Sequence, residues 1–162
     1  MNVRCSTITI GSAVGPVFAL SLFLFLNSVP TRAAVNESIP DAQALAQLEL
    51  RATQAKPREQ CFLYTELVHS MTQLAGKQML DGDVEEAAST LKKIEHYAQL
   101  IHLNLANDTK RVKDAEMLMQ HTTSHLGSYI RQTSGDERSV MQATLAKLDR
   151  VHDEMLTQVF NH

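Results

Sequence analysis

The chain has 162 residues, 44% of them hydrophobic and 5% aromatic, with no tryptophan and a formal net charge of −3. That length suggests one domain. The acidic balance argues against nucleic-acid binding, which needs concentrated Lys and Arg, and the few aromatics argue against an aromatic-lined sugar or ligand site.

Residues 1–33 read as a secretory signal. Arg4 is the only charge of a short start, Ile8 to Leu26 is apolar or small, and Asn27, Ser28 and Pro30 lead to the small residues Thr31 and Ala33. A positive start, an apolar middle and a small-residue exit is the layout of an export signal, and cleavage is expected after Ala33. The competing expectation is an uncleaved membrane anchor, because the apolar run is long, although Gly11, Gly15 and Pro16 interrupt its first half. No cysteine sits at the exit of the run, which argues against a lipid anchor. Cleavage removes Arg4 and Arg32 and no acids, so the formal charge falls from −3 to −5. Cys5 leaves as well. Cys61 then stands alone and cannot form an internal disulfide, so stability must come from packing. It is expected as a buried, inert thiol, with an intermolecular disulfide as the alternative.

Residues 34–40 form a short lead and 41–162 a single helical domain. Ala, Leu, Gln, Glu, Lys and Met dominate it, all good helix formers. Asp41 suits a helix N-cap. The first helical region spans about 41–80 with a kink near Pro57, as a 41–55 segment and a 57–80 segment, because proline bends a helix or opens a new one. At helical spacing Cys61, Tyr64, Leu67, Val68, Met71, Leu74 and Ala75 share one face, while Glu66, His69 and Gln73 fall on the other. Asp81-Gly82-Asp83 is a turn in which Gly82 takes the left-handed conformation that ends a helix, and Asp83 with Glu86 resembles a capping box.

The next helix places Val84, Leu91, Ala98, Leu105, Val112, Met119 and Leu126 seven residues apart. That register runs through Asn107-Asp108 without a slip, favouring one helix over 84–132 with coiled-coil-like packing. A break at 107–108, giving an up-and-down four-helix bundle, is the alternative. Ser134 with Glu137 makes a second capping box, opening a last helix over 136–160. Its buried face would hold Met141, Thr144, Leu145, Leu148, Val151, Met155 and Val159. The expected fold is therefore all-α: an antiparallel helical bundle or coiled-coil-like hairpin of three to four long helices after a cleaved signal.

Several patterns touch on chemistry. Glu66-x-x-His69 and Asp149-x-x-His152 have the spacing of di-iron carboxylate bundles, but Glu66 and His69 point away from the apolar face. His121 and His125 lie one turn apart and could grip a transition metal, yet two ligands are half a site and no zinc-protease glutamate follows the first. His102 and His152 near apolar faces could serve a haem with a facing methionine. Lys110-Arg111-Val112-Lys113, flanked by Asp108 and Asp114, reads as a solvated face. Leu74, Ala75, Gly82, Asp83, Ala87, Leu91 and Ile94 within residues 71–97 resemble one tetratricopeptide-repeat unit, but no second copy follows 34 residues on, and solenoids need about three.

No catalytic, cofactor-binding or metal-binding residues are assigned, and no cofactor is expected. The expectation is a non-enzymatic, exported protein, periplasmic or secreted, acting through protein–protein contact or self-association. The partner would be a second copy, meeting through an exposed seam of Leu105, Val112 and Met119, or another envelope protein; neither nucleic acid nor, after cleavage, a membrane is expected. The alternative is a metal- or haem-binding bundle, motivated by His69, His96, His102, His121, His125, His152 and His162.

Overall fold

The computed structural model describes residues 40–107 and 110–161. The expected signal over 1–33, most of the lead over 34–40, the polar layer at Asp108, and His162 lie outside the described residues. Five α-helices stand among them: α1 (Ala42–Gln54), α2 (Pro57–Asp81), α3 (Val84–Asn104), α4 (Val112–Gln132) and α5 (Asp136–Phe160). No strand is present among the described residues, and no helix there is long and apolar enough to cross a membrane.

Local chemistry sets most boundaries. The Asp41 carboxylate accepts a hydrogen bond from the Ala44 amide at 2.6 Å, capping α1. Lys56 is forced into an extended conformation before Pro57, which occupies the first turn of α2. This ends α1, and Pro57 opens a new helix, the second of the two outcomes expected of it. At the far end of α2, Gly82 has φ +89°, and the Asp83 amide donates to the Gln78 carbonyl at 2.8 Å, the 6→1 bond of a Schellman motif. Gly135 has φ +75° and caps the start of α5. Neither expected capping box forms: Asp83 makes no side-chain cap bond, and the residue at the N-cap of α5 is Gly135 rather than Ser134.

The expected helix over 84–132 is divided. α3 ends at Asn104, where the side-chain amide turns back to the Leu100 carbonyl at 2.8 Å, and a 3-10 turn follows over Leu105–Asn107. At the start of α4 the Arg111 guanidinium lies 3.3 Å over the centroid of the Phe62 ring and also bonds Asp114, while Lys110 reaches Glu59 at 3.9 Å. The basic run is therefore no plain solvated face. A cation over a partly desolvated ring is worth roughly 0.5–2 kcal/mol, enough to help hold the reversal. The expected three to four long helices are thus five.

α2 packs against α1, α3 and α4, and α5 packs against α3 and α4. Within each hairpin, α2–α3 and α4–α5, the helices are antiparallel. Between hairpins they are parallel. His69 meets Thr122, 53 residues on, and one heptad later Gly76 meets Tyr129. Glu95 meets Lys147, 52 residues on, and one heptad later His102 meets Glu154 at the same separation. Two helical hairpins thus stack with a common register of 52 to 53 residues, not the 34 of a tetratricopeptide array.

The core runs between the hairpins. Leu67, Leu91, Ile94, Ile101, Met119, Leu126, Met141, Leu148 and Met155 are fully buried, and burial of each such side chain contributes roughly 1.5–3 kcal/mol. Because α2 is covered on three sides it also buries Thr65 and Thr72, whose hydroxyls donate to the carbonyls of Cys61 and Val68 four residues back. Tyr64 and Tyr97 stack at 5.8 Å between α2 and α3. The Tyr97 hydroxyl donates to Glu49 of α1 at 2.5 Å. Burial, then the Glu49 bond and charge, push the Tyr97 phenol far above its usual range. The seam proposed for self-association is consumed inside the chain: Leu105 and Met119 are buried and Val112 packs against the core.

Gly76 shows how tight the α2–α4 contact is. A Cβ there would fall within 2.6 Å of Cγ of Tyr129, with other ring atoms nearer still. In an open helix Gly→Ala gains about 1 kcal/mol of propensity. Here the clash with a ring on another helix dominates, and overpacking typically costs about 1–3 kcal/mol. Gly76→Ala is expected to lower stability to chemical denaturation by about 1–3 kcal/mol, and Tyr129→Ala in the same chain should recover part of it. A stabilised Gly76→Ala protein would contradict this packing.

Candidate functional site

The parallel register of α2 and α4 gathers three histidines that are distant in sequence. His121 and His125, one turn apart on α4, have ring centroids 4.3 Å apart. His69 of α2 lies 5.5 Å from His121 and 6.1 Å from His125. Thr122 donates its hydroxyl proton to the Leu118 carbonyl at 2.7 Å. Its oxygen is then the acceptor for Nδ1–H of His69 at 2.9 Å. This places the His69 proton on Nδ1 and leaves the Nε2 lone pair to accept from the Gln73 amide at 3.2 Å. His69 also lines a groove of about 420 Å3 between α1, α2 and α4, together with Arg51, Glu66, Ser70 and Leu118.

The helical wheel put Glu66, His69 and Gln73 on a face turned away from the core. That reading assumed one covered side. With α4 on a second side, Gln73 is buried and Glu66 and His69 are half-buried. Among the described residues, no group of three or more His, Cys, Asp and Glu side chains, these three histidines included, could hold a metal ion.

A second feature lies between the parallel helices α3 and α5. A groove of about 660 Å3 has Ala98 and Val151 on its floor and Lys92, His96, His102, Lys147 and Arg150 along its walls. Its two carboxylates are engaged: Glu95 accepts from Lys147 at 2.5 Å and from the Thr144 hydroxyl at 3.0 Å, and Glu154 meets Nδ1 of His102 at 2.6 Å. Sequence reasoning passed over Lys92, Lys147 and Arg150. The available signal was a polar stripe at helical spacing, Lys92, Glu95, His96, Gln99 and His102, beside the apolar stripe of α3.

The remaining flagged residues separate. His102 is exposed between α3 and α5, while Nε2 of His152 is 3.0 Å from Glu116 of α4 in a largely buried pair. These two histidines thus serve different interfaces. Asp149 is exposed. Partial burial, then the neighbouring Asp153, raise its carboxyl above the usual value, with His152 opposing.

Comparison with family models, with curated proteins and with solved structures finds no match to this chain.

Cys61 is fully buried on α2. In a Cys5→Ser chain its thiol is expected to stay unreacted with a disulfide reagent until the protein is unfolded. Rapid labelling of the native protein, or a disulfide-linked dimer on a non-reducing gel, would contradict that burial.

Proposed function

We propose that this chain is an exported, non-enzymatic helical protein that works by holding an acidic segment of a partner protein in the α3–α5 groove. The observation that carries the reading is the charge of that groove. On a chain of net negative charge, it collects Lys92, Lys147 and Arg150 with two histidines over an apolar floor. Its own carboxylates are taken up by Lys147, Thr144 and His102. Lys92 and Arg150 have no hydrogen bond or ion pair within the described residues. Apolar floor with charged rim is the anatomy of a peptide-binding groove, and cations facing an acidic segment raise its encounter rate and fix its register. The groove wall from Lys92 to His102 is about 15 Å long at 1.5 Å per helical residue, room for three turns of a docked helix. The heptad recurrence of the contacts between α2 and α4 supports coiled-coil-like packing as the frame for this surface.

A photo-cross-linker at Gln99, on the groove wall, tests this in the protein's native compartment, with one at exposed Lys113 on α4 as control. The expected outcome is an adduct with another protein at Gln99 that disappears in Lys92→Glu/Arg150→Glu. Adducts equally strong at Lys113, or unaffected by charge reversal, would sink the reading.

Export rests on the composition of residues 1–33, with cleavage after Ala33. The mature protein is expected to begin at Ala34 by intact mass, in the periplasm or the medium. A full-length chain in the membrane fraction would favour the anchor instead.

A further inference from the structure

We propose that the acidic segment held in the α3–α5 groove is supplied by a second copy of this chain, whose α2–α3 turn docks there while its own groove takes the turn of the first copy. The inference rests on the reading of the groove given above and names its partner.

Three observations carry it. The first is the composition of the turn. Residues 80–86 include Asp81, Asp83, Glu85 and Glu86 and no base. Lys77 engages Asp81, whereas Asp83, Glu85 and Glu86 make no side-chain hydrogen bond or ion pair among the described residues. Acids in the first turn of a helix are common, because they complement its dipole. The apolar side chains exposed among them have no such cause: Leu80 is 49% and Val84 39% exposed. An apolar tip ringed by carboxylates is the complement of the groove, where Ala98 and Val151 lie beneath Lys92, Lys147 and Arg150.

The second is the position of the turn. Val84, Ala88, Lys92, Glu95, Gln99 and His102 succeed one another at steps of three or four residues, a single stripe of α3. On α5, Val140 stands one heptad before Lys147 of the opposite wall and is 45% exposed. One heptad before the Glu95–Lys147 contact, the same register sets Ala88 at the level of Val140. The groove therefore continues toward the turn as an apolar strip. One face of the molecule carries cations at one end and an apolar, acidic tip at the other.

The third is symmetry. Val84 and Ala98 are separated by about 21 Å along α3, at 1.5 Å per helical residue. A second copy turned end for end lays its turn over the groove of the first and receives the first copy's turn in its own groove. The two contacts form together, which is the self-complementarity that a closed two-fold dimer requires. Each chain is net negative, so association depends on these local opposites and weakens with salt.

Light scattering of the protein purified from its native compartment, over a concentration series, tests the dimer, and the Gln99 photo-cross-linker identifies what fills the groove. The expected result is twice the mass of one chain, falling toward one chain as salt rises, and a Gln99 adduct made of two copies. Lys92→Glu/Arg150→Glu and Glu85→Lys/Glu86→Lys change exposed positions, and each pair should weaken dimerisation at least about tenfold. Combining the two pairs reverses both sides of the contact and should restore the dimer, which an unfolded chain could not do. Glu85→Gln/Glu86→Gln removes the charge without placing lysines at a helix N-terminus and should weaken the dimer as well. A monomer at every concentration, a dimer indifferent to both reversals, open-ended growth of mass, or a combined variant that is folded by circular dichroism yet monomeric would overturn the proposal. A Gln99 adduct with a different protein would overturn it while leaving the reading of the groove intact; no adduct at Gln99 would remove both.

Discussion

The structure depends on the ring of Tyr129 lying flat against the backbone of α2 where Gly76 has no side chain. Two parallel helices from different hairpins have no short loop to fix their offset, so the offset must come from side-chain fit. Any residue larger than glycine at position 76 would push the ring away. Counting back one heptad from that contact sets Thr122 opposite His69, and a further heptad leads to the end where Arg111 covers Phe62. One missing Cβ, one hydroxyl and one cation on a ring thus mark successive levels of the same interface. The outer pair, α3 and α5, follows with its own rungs, Glu95–Lys147 and His102–Glu154.

Putting α2 in the middle has chemical consequences. A helix covered by three others cannot keep a clean polar side, so its polar residues must find partners within the protein. Thr65 and Thr72 bond their own backbone, and Gln73 and His69 bond one another. This is how a histidine that the sequence places on an outer face comes to stand beside two others. The α3–α5 pair is the opposite case. Its facing positions carry long charged side chains, which meet at their tips and leave a trough above Ala98 and Val151. One interface between the hairpins is closed and polar-networked, the other open and charged.

Much of the fold was legible in the sequence because it is written locally. Asp41, Pro57 and Gly82 act through bonds within a few residues of themselves, and the buried stripe of α5 follows from helical spacing. The break before α4 was legible only as the less favoured alternative at 107–108. Leu105, Val112 and Met119 keep a seven-residue phase across the turn, and all three serve the core from separate segments. Phase continuity cannot distinguish one helix from two that both face the same core. The candidate sites were hidden for a related reason. His121 and His125 were visible as an i, i+4 pair, but His69 joins them only through a 53-residue register fixed by Gly76 and Tyr129, a long-range fit that no periodicity encodes. Lys92 and Arg150 form no pattern within the sequence and come together only when α5 lies beside α3.

The central claim is the parallel pairing of α2 and α4 in this register, and the most direct measurement is the NMR spectrum of the native protein at Gly76. The structure requires its α protons to lie against the face of an aromatic ring, so they should be strongly displaced by the ring current and show nuclear Overhauser contacts to the ring protons of Tyr129. Gly76 α protons at ordinary shifts, or contacts from Tyr129 to a different turn of α2, would contradict the stacked-hairpin arrangement.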